Sequence, residues 1–161
     1  ITTPVLTKLL QAECFSSITV MVQKEVAERI CAGPGSKSCS AFSIFCRYYA
    51  DPEPLFDVPP DCFLPRPKVT STVLTLHVRG NPPCEIQDPE LFFKTVRASF
   101  AQRRKTLVNG LSAGFPSLPK ETITGCVTGA WFPADIRGEK LDIPEFETVA
   151  RLLASAINTP A

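Results

Sequence analysis

Two short stretches of this 161-residue chain combine residue types that could do chemistry. The first is the loop leading into residues 69–78. Prolines at 59, 60, 65 and 67 fix φ and disfavour helix before them, which predicts a stiff, extended segment. Phe63 sits on that segment, a large aromatic in polar, rigid surroundings. It reads either as a hydrophobic plug or as a platform on which something flat can stack. The second stretch is Arg103-Arg104-Lys105. Residues 91–120 hold six cations (Lys94, Arg97, Arg103, Arg104, Lys105, Lys120) and no acid. Residues 1–90 hold 8 cations and 10 acids, and residues 121–161 hold 3 and 6. A local block of +6 in a chain of net charge +1 is either a solvated face or a contact surface for a polyanion, and the missing acids favour the polyanion.

Other reactive side chains are less suggestive. The seven cysteines (14, 31, 39, 46, 62, 84, 126) have no C-x-x-C pair and are odd in number. Neither a disulfide framework nor a zinc site is implied; reduced thiols in a reducing, cytoplasmic compartment are. Cys31 and Cys46 lie in apolar contexts that predict core positions. Cys62 adjoins Phe63 without a histidine partner. His77, the sole histidine, falls inside a strand pattern and reads as structural. Gly33-Pro34-Gly35 tempts as a phosphate loop, but it follows a helix rather than a strand and lacks a third glycine, so it reads as a turn.

These residues need elements to hold them. Alternation over Val69–Val78 predicts a strand with Thr72, Leu74, Leu76 and Val78 on one face and Val73, Thr75 and His77 on the other. Upstream, Thr3-Pro4 starts a helix with Val5, Leu6, Leu9 and Leu10 inward. Residues 18–22 form a buried strand and 23–30 a helix with Val22, Val26 and Ile30 in one stripe. Residues 40–49 form a second helix, ended by Asp51-Pro52, and Leu55–Val58 a short strand. The order α-β-α-α-β-loop-β, with the last two strands antiparallel, resembles the trailing edge of a larger α/β sheet. Gly80-Asn81-Pro82-Pro83 is a linker that divides the chain into 1–80 and 81–161. Beyond it only helices are expected. Asp88-Pro89 caps one, with Phe92, Val96 and Phe100 inward. Carried on unbroken, it would bury Arg103, which is costly. A break near Ala101-Gln102 therefore places Arg103, Arg104 and Lys105 at the start of a new helix ending near Gly110. A weaker helix at 119–127 and a clear one at 143–157, with Phe146, Val149, Ala150, Leu153 and Ile157 in register, complete an all-α lobe. No apolar run approaches a membrane span and no signal peptide opens the chain.

Three segments carry a family resemblance: VQKEVAERI at 22–30, FLPRPKVTSTVLTL at 63–76 and FAQRRKTLVNGL at 100–111. In this order and spacing they resemble the small-subunit ribosomal RNA adenine N6-dimethyltransferases of the KsgA type. The resemblance implies the trailing part of a Rossmann-like methyltransferase domain followed by a small helical RNA-binding domain. It implies S-adenosylmethionine as cofactor and no metal. It places the cofactor loop, the acidic ribose contact and the Asn-Leu-Pro-Tyr catalytic tetrapeptide upstream, with ITTP at 1–4 resembling the residues just after that tetrapeptide. The chain alone is then expected to be inactive. The resemblance further implies Phe63 as the face stacking the target base, with Pro65 and Pro67 keeping it rigid. Arg103, Arg104 and Lys105, with Arg97 and Lys68, would hold the RNA backbone. The implied substrate is two adjacent adenines in the 3′-terminal hairpin of small-subunit rRNA, within the small ribosomal subunit. Two other readings stay open: a non-catalytic RNA-binding or ribosome-assembly module, and a large-subunit methyltransferase of the macrolide-resistance type.

Overall fold

A computed structural model describes residues 2–158; Ile1, which opens the ITTP segment, and residues 159–161 lie outside. The chain forms two compact units, residues 2–33 with 38–82 and residues 34–37 with 83–158.

The first unit is a three-stranded sheet with helices on one face. Its elements are α1 (Thr2–Gln11), β1 (Ser17–Gln23), α2 (Lys24–Cys31), α3 (Ala41–Tyr49), β2 (Ala50–Val58) and β3 (Ser71–Val78). The order is β1-β3-β2, antiparallel throughout. β3 is central, as its apolar alternation requires: Leu74 and Leu76 are fully buried and Thr72 nearly so. Leu6 and Leu10 of α1, Ile18 and Val22 of β1, Ala27 and Ile30 of α2 and Cys46 of α3 close over them. Val5, expected inward, is exposed. A reciprocal Ser40/Ser43 capping box starts α3, and the Ser43 hydroxyl also donates to the Arg29 carbonyl at 2.5 Å. One buried hydroxyl therefore caps one helix and satisfies the end of another.

β2 corrects the expectation of a short strand at 55–58. It begins at Ala50 and contains Pro52 and Pro54. An edge strand pairs along one side only, so the missing proline donors cost nothing there. The register shifts between Pro54 and Phe56, leaving Leu55 as a bulge. The proline segment is likewise not extended throughout, because Pro60–Cys62 form a 3₁₀ turn.

The second unit is helical: α4 (Pro89–Ala101), α5 (Leu107–Gly114), α6 (Lys120–Gly129) and α7 (Ile143–Asn158). Asp88 caps α4 by accepting from the Leu91 N–H at 3.0 Å. Phe92, Leu111, Phe115, Ile123, Phe146 and Leu153 form the centre of its core. Ile157, expected inward, is exposed. α4 ends at Ala101, but the cations after it do not open a helix. Thr106 takes the capping position, its hydroxyl accepting from the Asn109 N–H at 3.4 Å. Arg103, Arg104 and Lys105 consequently lie in the turn ahead of the cap. α5 also runs past Gly110 to Gly114. Gly110 is a packing residue, since a Cβ there would lie 2.7 Å from the Ala98 carbonyl oxygen.

Candidate RNA-contact surfaces

In the first unit, the loop from Pro59 to Thr70 is built to hold its shape. The Cys62 and Phe63 amides donate to the carbonyls of Pro59 and Pro60 at 3.1 and 3.2 Å. Asp61 and Arg66 form a salt bridge of 2.9 Å across the tip. At the base, the Lys24 amide donates to the Thr70 carbonyl at 3.0 Å. The Lys24 ammonium and the Thr72 hydroxyl both donate to Asp57, each at 2.7 Å. The hydrogen bond from Lys24, then that from Thr72, holds the Asp57 carboxyl below the usual range, and the same pairing raises Lys24. The network ties α2, β2 and β3 together where the loop leaves the sheet.

Phe63 is half-buried and stands outside the cluster that fills the core. It stands on a loop with an exposed ion pair across the tip and hydrogen bonds at the base. Leu64 beside it is fully exposed, Pro65 is exposed and Pro67 half-buried. Lys68 is exposed and makes no ion pair among the described residues. Cys62 is an exposed free thiol. His77 faces solvent and meets Glu53 of β2 at 2.7 Å, a cross-strand pair on the sheet surface.

In the second unit, Arg97 projects from α4, and Arg103, Arg104 and Lys105 from the turn at 102–105; all four are exposed. Among the described residues none of them forms a salt bridge, whereas Arg29, Arg66, Arg79 and Arg151 do. Lys94 lies over the Phe115 ring, 4.6 Å from its centroid. Four exposed, unneutralised cations close in sequence suit a phosphate backbone, which rewards charge without demanding fixed geometry.

The sequence reading missed Trp131, which is 93% exposed with φ +66°. Gly129 reads as the stop signal after α6, and nothing local marks the residue two places on as left-handed. The Asp57–Lys24–Thr72 network was also missed, because its members are far apart in sequence.

Among the described residues, neither the sheet nor the glycine turn offers the usual place for a nucleotide-like cofactor. Open α/β sheets bind such ligands beyond the carboxyl ends of parallel strands, and here all pairs are antiparallel. The Gly33-Pro34-Gly35 turn follows α2, and the Gly35 N–H is already given to the Glu139 carbonyl at 2.6 Å. No group of three His, Cys, Asp or Glu among the described residues is placed to hold a metal ion, and no helix there is long and apolar enough to cross a membrane.

Comparison with known proteins fits this geometry. The family model described as ribosomal RNA adenine dimethylase matches residues 1–125. The ribosomal RNA small subunit methyltransferase A of Lachnoclostridium phytofermentans is 46% identical over 155 residues, covering 95% of this chain and 53% of that protein. The protein of the same name from Alkaliphilus oremlandii is 40% identical, covering 98% and 55%. The chain thus spans about half the length of the curated relatives it matches. Among solved structures, a dimethyladenosine transferase from Plasmodium falciparum superposes with a TM-score of 0.72 at 23% identity, covering 92% of this chain and 61% of that one. The 23S rRNA methyltransferase ErmE superposes with a TM-score of 0.65 at 18% identity, covering 96% and 61%. At those identities the likeness is one of fold.

Proposed function

Since the chain belongs to the ribosomal RNA adenine dimethylase family, we propose that it is the C-terminal, base-presenting and RNA-holding part of an enzyme that dimethylates N6 of two adjacent adenines. The substrate is the 3′-terminal hairpin of small-subunit rRNA within a pre-assembled small subunit, which sets the reaction in the cytoplasm during ribosome biogenesis. One observation carries this reading: the family match extends across both the Phe63 loop and the basic turn. The domain assignment follows the same line, with residues 1–80 as the trailing part of the methyltransferase domain and 81–161 as the RNA-binding domain.

The residues have distinct tasks. The N6 lone pair of adenine is delocalised into the ring, so the amino group reacts only when closely positioned. To be positioned the base must leave its stack, and an aromatic face recovers part of that loss, about 1–3 kcal/mol per base. Phe63 supplies the face, and Pro65, Pro67 and the Asp61–Arg66 bridge keep it still. Arg103, Arg104 and Lys105, with Arg97 and Lys68, neutralise phosphates and set the register of the RNA. The family implies S-adenosylmethionine as methyl donor. The described residues do not fit it, for the reasons of strand direction and turn geometry above. The 161 residues by themselves therefore act as an RNA-binding module.

Calorimetry on this chain tests the assignment. A hairpin RNA with two unpaired adenines should bind with strong salt dependence, and S-adenosylmethionine should give no saturable heat. Saturable binding of S-adenosylmethionine, or no binding of the hairpin at low salt, would overturn it.

A further inference from the structure

The C-terminal end of α6 holds a residue in the wrong place for structure alone. α6 closes in a Schellman arrangement: the Trp131 N–H donates to the Thr128 carbonyl at 3.0 Å and the Phe132 N–H to the Val127 carbonyl at 3.3 Å. The position between, with φ +66°, is the left-handed one that glycine occupies at least cost. Here it carries the chain's only tryptophan, with 93% of its surface in solvent. The indole is neither packed nor the residue this backbone prefers, and strain of this kind points to use.

The tryptophan edges a groove of about 640 Å³ against α7. Leu152 and Ala154 line it together with Gln87, Arg151 and Asn158, while the Thr148 and Ser155 hydroxyls beside them already donate to the Pro144 and Arg151 carbonyls at 3.0 and 3.1 Å. Glu147, nearby on α7, is buried and accepts from the Gln87 N–H at 3.2 Å. Arg151 is held to it only by a 3.9 Å contact and is half-exposed. We propose that this groove takes one unpaired nucleotide of RNA, the indole stacking on the base and Arg151 meeting its phosphate. Flat aromatic, hydrogen-bonding edges and a single cation are what one splayed nucleotide asks for. The surrounding segment 121–161, with three cations against six acids, disfavours a duplex laid across it. The groove shares no residue with the basic turn of this unit, and it rests on the reading that this unit meets RNA.

With one tryptophan in the chain, its fluorescence reports this groove alone. Titration of the 161-residue chain with a short single-stranded oligoadenylate should quench it saturably, while a blunt RNA duplex should not. Trp131→Gly places the preferred residue in the left-handed position, so its melting temperature should equal or exceed that of the parent. Its affinity for labelled oligoadenylate, read by anisotropy, should fall roughly tenfold or more. Arg151→Gln should lower the salt slope of that binding by about one ion. An unquenched tryptophan, an unchanged affinity of Trp131→Gly, or quenching by a basic peptide but not by RNA would overturn the site. If Arg103→Ala still weakens RNA binding in that event, only this groove falls; if no RNA binds at all, the RNA reading of the unit falls with it.

Discussion

The role proposed for Phe63 is that of a ring face, and the residue is half-buried and outside the core cluster. Phe63→Ala in the full-length enzyme should lower turnover roughly 10- to 100-fold, the loss of about 1–3 kcal/mol of stacking, with little change in melting temperature. A large fall in melting temperature would return the ring to the core. Arg103→Ala should weaken RNA binding and flatten its salt dependence by about one ion; an unchanged slope would remove the phosphate contact. Cysteine chemistry divides by burial. Desolvation, then the neighbouring Cys31, pushes the Cys46 thiol up to about 12, so in the folded chain Cys46 should resist alkylation at mildly alkaline pH while exposed Cys14 and Cys62 react, as peptide mass mapping would show. As candidates, Phe63 and the cations stood out by residue type and neighbourhood, and the structure leaves the cations exposed and Phe63 half-buried. Trp131 did not, because a left-handed cap without glycine leaves no mark in sequence.

At the scale of elements, the loop is only as rigid as the β2–β3–α2 junction beneath it. The Asp57 carboxyl is held below its ordinary range, so its contribution to stability is present above the unfolded carboxylate pKa and is lost as pH falls through the lower folded value. Asp57→Asn should therefore flatten the acid side of a stability–pH curve; an unchanged acid limb would show that the pairing contributes nothing. In the second unit, α4 and α5 approach through glycine. A Cβ on Gly114 would fall 2.5 Å from the Ala98 Cβ, so Gly114→Ala should cost about 1–3 kcal/mol in denaturant melts. The helices and β3 were legible because their apolar periods are strong. Only the second half of β2, residues 55–58, was legible: Pro52 and Pro54 argue against a strand until its place at a sheet edge is known. The helix boundary at Arg103 was half legible. The cost of burying a cation gave the break, but Thr106 competed as cap and won.

At the scale of the molecule, the sheet has helices on one face, while the other bears a row of Met21, Val73 and Phe56 in register across its strands. Met21 and Phe56 are more than half exposed, an apolar row of the kind that marks a contact surface. With a chain that spans about half of its curated relatives, this fits a unit that works as part of a longer enzyme. The charge pattern is compatible with the proposed RNA contact, since the stretch 91–120 holds six cations and no acid. The most direct test is methyl transfer by the full-length protein to isolated small and large ribosomal subunits, with the modified base mapped. Two adjacent N6,N6-dimethyladenines in the 3′-terminal hairpin of the small-subunit rRNA, and none in the large subunit, is the expected result. Modification confined to large-subunit rRNA, or no modification of either subunit by protein shown to be folded, would contradict it.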